Sequence, residues 1–356
     1  MKFIHTADTH FDSKIEILPT EKSKVRRDEV VHAFERLSDY ATENGVTAVI
    51  IAGDMFDTAR TTLKTRGRII QAISKNSGVD FLYLSGNHDS DNFIDQALDL
   101  PENLKIFKDE WTSFRYGNVV ISGIKLAGSN FKIACDSLNL SKTDVNIVAL
   151  HGQAYFYENN AENISISALK DKNIDYLALG HVHAYSDGEI DKRGKYAYSG
   201  SLEGRGFDEI GVRGFVELNV VEGKVQTEFV KWSVREFYEH SYSVENATDW
   251  YQTREEIIKT LTEKYPPQSI VRLILVGGRD TSFDIDKKNL ELRLGERFFF
   301  AKVYDKTEIR VNIDDYATDK SVRGEFVRTV WASELSEEMK GKVIMCGLNA
   351  LKGEEF

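Results

Sequence analysis

Short, largely apolar runs recur along the first half of the chain, and each stops at a glycine or a polar residue. Residues Ala48–Ala52 run into Gly53-Asp54, 79–84 into Gly86-Asn87-His88, 145–150 into His151-Gly152, and 174–179 into Gly180-His181. Runs of this length read as buried strands. An opening strand over 2–6 leads into a loop carrying Asp8 and His10. Between the strands the period changes. Val30, Phe34, Leu37 and Ala41 share one face of a helix expected over 23–44, with Gly45 as its stop. Helices are also expected near 61–75 and 93–98. Strands are expected between 105 and 123, and again at about 195–199, 213–220 and 225–232. This alternation predicts an α/β fold of two sheets flanked by helices.

The chain has 356 residues, too many for one ordinary core, and two domains are expected. The boundary is placed near 235–240, giving domains 1–235 and 236–356. The second half predicts a smaller α+β domain. It has a strand over 237–244, a helix over 250–264, a break at Pro266-Pro267 and a strand over 270–276. A helical segment near 285–293, strands near 298–303 and 308–311, and two helices within 320–351 complete it. Phe326, Val327, Val330 and Leu335 are the apolar marks of those helices.

Composition adds boundaries rather than chemistry. Hydrophobic residues make up 41% of the chain, enough for sizeable cores. The two cysteines, Cys135 and Cys346, lie far apart without metal spacing, so no disulfide framework is expected and the cytoplasm is the expected home. The opening MKFIHT reads directly as a strand, so no leader peptide is expected. No apolar run approaches the ~20 residues of a membrane span.

Candidate chemistry lies at the strand ends. Asp8, His10, Asp54, Asn87, His151, His181 and His183 follow one another in that order, each where a run stops. Sheets of this class collect ligands beyond the carboxyl ends of their strands. Alone, each motif is weak: a histidine at a strand end is ordinarily a packed or surface histidine. Gly-His-x-His is stronger, because alternate residues reach two neighbouring ions. Together the seven side chains suit two divalent metals about 3.5–4 Å apart, which ionise a water and hold a phosphate for in-line attack. The chain therefore reads as a phosphate-ester hydrolase. His5 reads as core, and His32 and His240 carry no assigned chemistry.

These motifs, DTH, GDMFD, GNHD, HG and GHVH, resemble those of the calcineurin-like metallophosphoesterases. Within that superfamily the chain is similar to the SbcD-type DNA repair exonucleases, particularly the YhaO-like branch. KFIHTADTHFDS, GDMFDTA and the segment 198–220, YSGSLEGRGFDEIGVRGFVELNV, carry the narrower likeness. It covers about residues 1–235, with VRGEFVR and GLNALKGEE as weaker echoes near the C-terminal end. The resemblance implies a two-sheet metallophosphoesterase sandwich with a C-terminal capping domain. It implies that Asp8, His10 and His183 hold one metal with Asp54, and that Asn87, His151 and His181 hold the other, with Asp54 bridging. Manganese is the implied metal, although oxygen and imidazole ligands also suit iron and zinc. His88 would contact the scissile phosphate or protonate the leaving oxygen, within hydrogen-bond reach. Asp57 would orient His88 through its ring N–H. Some relatives have a second histidine in the place of Asp57; this chain does not.

The implied activity is DNA cleavage, by a homodimer working with an SbcC-like SMC-type ATPase. Two other readings compete. The formal charge of −11 and pI of about 5.4 favour a small-molecule or cyclic-nucleotide phosphodiesterase, since most stand-alone DNA binders are basic. A non-catalytic assembly subunit is opposed by the complete ligand set. Basic clusters offer DNA contacts locally: Lys22, Lys24, Arg26 and Arg27, and then Arg60, Lys64, Arg66 and Arg68, where a solvated helix face is the alternative. Phosphate contacts there would make binding strongly salt-dependent.

Overall fold

Strands with no polar face need cover on both sides, and the first unit of the chain supplies it. In the computed structural model, which describes residues 1–57, 61–89, 100–126, 131–156, 163–280, 283–311 and 313–352, the chain divides into two compact units, Met1–Glu236 and Phe237–Phe356. The helix expected over 93–98 lies outside the described residues.

The first unit holds two six-stranded sheets. The first contains β1 (Lys2–Thr6), β2 (Ala48–Ala52), β3 (Asp80–Leu84) and β4 (Leu104–Ile106), with β13 (Gly214–Val221) and β14 (Lys224–Lys231) beyond β1; its order is β14-β13-β1-β2-β3-β4. The second contains β5 (Thr112–Tyr116), β6 (Val119–Gly123), β7 (Val145–His151), β10 (Tyr176–Gly180), β11 (Ser186–Glu189) and β12 (Lys195–Tyr198), in the order β11-β12-β10-β7-β6-β5. β8 (Ala154–Tyr155) and β9 (Ile164–Ser165) form a small separate pair. β1 to β4 of the first sheet and β12, β10, β7 and β6 of the second run parallel, whereas β13 runs antiparallel to β1.

Phe3, Ile50 and Leu82 of the first sheet pack with Ile121, Ile147 and Ala178 of the second, so the sheets face one another. The alternate residues Ile4, Val49, Ile51, Phe81 and Tyr83 pack instead under α1 (Thr20–Glu43) and α2 (Leu63–Lys75). The second sheet is covered outside by α3 (Phe131–Ser137), through Phe131, Ala134 and Cys135. Burying each large apolar side chain contributes roughly 1.5–3 kcal/mol. α1 begins at Thr20, directly after Pro19, three residues earlier than its apolar stripe predicts. It ends before Gly45, whose φ of +63° is open to glycine without strain. Thr62 caps α2 by accepting from Thr65 N–H at 3.1 Å.

In the second unit β15 (Phe237–Ser243), β16 (Ile270–Val276) and β18 (Phe300–Asp305) form a parallel sheet, and β17 (Gly278–Asp280) pairs with β19 (Glu308–Arg310). α4 (Trp250–Lys264) and α5 (Lys287–Gly295) share one core with the larger sheet. α6 (Val322–Trp331) and α7 (Glu337–Lys352) pack on each other through Val327, Ile344 and Leu348. Among the described residues no helix is long and apolar enough to cross a membrane.

Candidate metal centre

The register of the parallel strands brings the ligand loops to one edge. Thr6 lies opposite Ile51, and Ala52 opposite Leu84, so the loops after β1, β2 and β3 leave the first sheet side by side. In the second sheet Gly180 pairs with His151, so His181 emerges next to His151. Two close approaches require glycine. Gly53 has φ +95° beside the His151 ring, and a Cβ on Gly86 would fall on Asp54 Oδ1. Asp8, His10, Asp54 and His181 themselves have positive φ, a strained conformation for residues with a side chain. Such strain persists only where surrounding structure holds it, and it gathers at functional sites.

Two groups of potential ligand atoms result, each within 4.8 Å: Asp8, His10 and His183, and Asp54, His151 and His181. Asp54 lies between them. Its Oδ2 is 3.2 Å from His151 Nε2 and 3.7 Å from His10 Nε2. Its Oδ1 accepts from His88 N–H at 2.8 Å. Asn87 Oδ1 joins the second group, 2.9 Å from His151 Nε2 and 3.4 Å from His181 Nδ1. Asp8 accepts from His181 N–H at 2.9 Å. All seven expected ligands are thus brought together.

The tautomers fit cations. His151 Nδ1 donates to Ala52 O at 2.9 Å, so in the neutral ring Nε2 is a bare acceptor facing two further acceptors, Asn87 Oδ1 and Asp54 Oδ2. Three acceptors converging within 3.2 Å repel unless a positive charge sits among them. Without a metal, that charge is a proton. Burial opposes it, but the Asp54 hydrogen bond and charge raise His151 to about 9. Burial pushes Asp8 up to about 7. Asp54 is lowered to about 2, its burial outweighed by its hydrogen bond with His151. Burial, then the Arg205 charge, lowers His10 to about 3.

His88 stands at the centre, its ring 5.0 Å from that of His10. The expected contact with Asp57 does not form. Asp57 is partly exposed and accepts through its carbonyl from Thr61 Oγ1, and its carboxylate makes no hydrogen bond to His88 among the described residues. The third-motif loop is held instead by Asp89, which accepts from Phe56 N–H at 2.7 Å and Gly86 N–H at 2.9 Å. Asp89 ends the GNHD motif, and its place next to His88 was the signal available for it. Glu209, accepting from His183 Nδ1 at 2.8 Å, had no such signal, because only the fold brings segment 199–213 back to the site.

Arg60 lies outside the described residues. Lys64, Arg66 and Arg68 lie on α2. Arg68 is bound by Glu35 at 2.7 and 2.8 Å and also by Asp28, so its charge is already matched; Lys64 is exposed. Of the earlier cluster, Arg26 is buried on Glu203 at 2.7 Å and is structural. His5 is buried with Nδ1 2.8 Å from Tyr176 OH, as a core histidine.

The model of the calcineurin-like phosphoesterase family matches residues 1–185. The metallophosphoesterase YhaO of Bacillus subtilis (strain 168) is 26% identical over 298 residues, 78% of this chain and 72% of that protein. The DNA double-strand break repair protein Mre11 of Methanosarcina acetivorans is 30% identical over 218 residues, 57% of this chain and 34% of its own length. That of Methanopyrus kandleri is 26% identical over 265 residues, 65% of this chain and 58% of its own. Among solved structures, TT1561 of Thermus thermophilus covers 64% of this chain and 98% of its own, with a TM-score of 0.45 and 13% identity.

Proposed function

The chain belongs to the calcineurin-like phosphoesterases, and from that footing we propose that it is a two-metal phosphodiesterase of the SbcD type that cleaves DNA. The observation that carries this reading is the placing of Asp54 Oδ2 within 3.2 and 3.7 Å of histidines from both ligand groups. Two divalent ions, with Mn²⁺ proposed, when bound would ionise a water and offset charge on the phosphate. Asp8, His10 and His183 would hold one ion, Asn87, His151 and His181 the other, and Asp54 both. His88, tethered by its N–H to Asp54, would donate to the phosphate or the leaving oxygen. Asp57 has no bond to His88, so any contribution from its carboxylate would be electrostatic.

DNA as substrate is supported by the similarity to the Mre11 DNA double-strand break repair proteins and by the likeness of segment 198–220 to the SbcD type. A homodimer, an SbcC-like SMC-type ATPase partner, a cytoplasmic setting and a capping role for the second unit belong to the same proposal. The formal charge of −11 favours a second reading, a small-molecule phosphodiesterase. One assay separates them: end-labelled duplex DNA, single-stranded DNA and bis-p-nitrophenyl phosphate, each with Mn²⁺ and with or without chelator. Metal-dependent shortening of DNA is expected. Hydrolysis of the small diester with neither DNA touched would favour the second reading, and no hydrolysis at all would reject both.

A further inference from the structure

Segment 199–213 brings two groups to the site that neither the ligand set nor His88 uses. Glu209, which is 3% exposed, accepts from His183 Nδ1 at 2.8 Å. Arg205 donates to Glu209 Oε1 from Nη2 at 2.6 Å and from Nε at 3.1 Å, and its backbone N–H donates to Oε2 at 2.8 Å. The guanidinium Nη2 also lies 2.9 Å from His183 Nδ1. Arg205 is therefore one imidazole ring away from His10, whose Nε2 is 3.3 Å from that of His183. Its Nη1 has no hydrogen-bond partner among the described residues.

A cation this close to a metal ligand opposes the metal unless its charge is balanced, and Glu209 balances it. What remains is an arginine held through Nε and Nη2, its side chain 16% exposed, with Nη1 unbonded among the described residues beside a site whose ligands suit two cations. Two dications held by the two carboxylates Asp8 and Asp54 leave an excess of positive charge, which a phosphodiester would complete. The planar guanidinium suits this place because it serves a carboxylate and a phosphate at once, which a lysine ammonium does with less fixed geometry.

We propose that Arg205 is a phosphate-contacting residue, donating from Nη1 to a non-bridging oxygen of the substrate, and that Glu209 positions both Arg205 and the His183 ring. This rests on the phosphodiesterase reading above. The ordinary alternative is an ion pair that only steadies the segment.

The test uses Arg205→Met and Arg205→Lys in the full chain. Mn²⁺ stoichiometry, calorimetric binding of inorganic phosphate to the Mn²⁺-loaded protein, and KM against kcat for bis-p-nitrophenyl phosphate are measured. Arg205→Met should still bind two Mn²⁺, while phosphate affinity weakens and KM rises by roughly 10-fold or more, as loss of a charged hydrogen bond predicts. Arg205→Lys should recover part of the affinity. Because Arg205→Met strands a buried carboxylate, the double variant Arg205→Met/Glu209→Gln repeats the measurement without it. Unchanged phosphate affinity in both Met variants overturns the proposal. So does a fall from two Mn²⁺ to one, which would make Arg205 a support for His183 alone. Phosphate binding needs no turnover, so Arg205 is decided even if wild-type protein cleaves no diester and the phosphodiesterase reading fails.

Discussion

Asp54 touches both halves of the centre, and substitution there differs in kind from substitution at the other ligands. Asp54→Asn should weaken both metals together, by more than the roughly 10–100-fold typical of losing a group that only orients a ligand. His10→Ala should disturb mainly the group with Asp8 and His183. Metal analysis by mass spectrometry reads both, and wild-type occupancy in Asp54→Asn would defeat the assignment. His88 is expected to behave oppositely. His88→Ala should retain both metals and lose turnover by ~10²–10⁴-fold. Because no hydrogen bond joins Asp57 to His88, Asp57→Asn should be mild and its effect additive with His88→Ala; strong non-additivity in kcat would reveal a coupling absent from this structure. The titrations have a sign of their own. His151 is raised from 6.5 to about 9 and Asp8 from 3.8 to about 7. A metal must displace those protons, so apparent Mn²⁺ affinity should climb between pH 6 and 9 with proton release. Stability runs the opposite way: what protonated His151 contributes is full below 6.5 and is lost as pH rises through about 9. Calorimetry in buffers of different ionisation enthalpy checks this, and a flat affinity across that range would contradict it.

The elements that carry ligands are those the sequence shows most openly. A strand apolar on both faces and ended by Gly-Asp or His-Gly has few other readings, and β2, β3, β7 and β10 lie where those runs lie. β11 had no such pattern. Its sequence SDGE is mostly exposed at a sheet edge, held by backbone pairing with β12, which leaves no hydrophobic signature. α3 was missed because seven residues give too few turns to establish a period. Arg205 and Glu209 were illegible for another reason, since their meaning comes from a loop returning to His183 and not from local spacing. In the second unit the apolar marks were visible but their partners were not. Ile344 is fully buried against α6, while Leu335 and Met339 remain exposed. Ile344→Ala should therefore destabilise that unit by about 2–5 kcal/mol, and Met339→Ser by far less. Denaturant melts compare them, and equal effects would mean that α7 does not pack as described.

At the scale of the whole molecule, each ligand group draws from both sheets. Asp8 and His10 follow β1 and His183 follows β10; Asp54 and Asn87 follow β2 and β3, and His151 ends β7. A ribosome delivers these segments in order, so for most of synthesis the emerging chain has an acidic half-site and nothing to close it. Metal capture becomes a late event, timed by the exit of His181 and His183 from the tunnel, and the earlier strands must find their register unaided. Chains stalled before His181 should gain no protection from protease on adding Mn²⁺, and chains stalled after Glu236 should gain it. Protection of the shorter chains would mean that the first sheet can trap the ion before its partner exists.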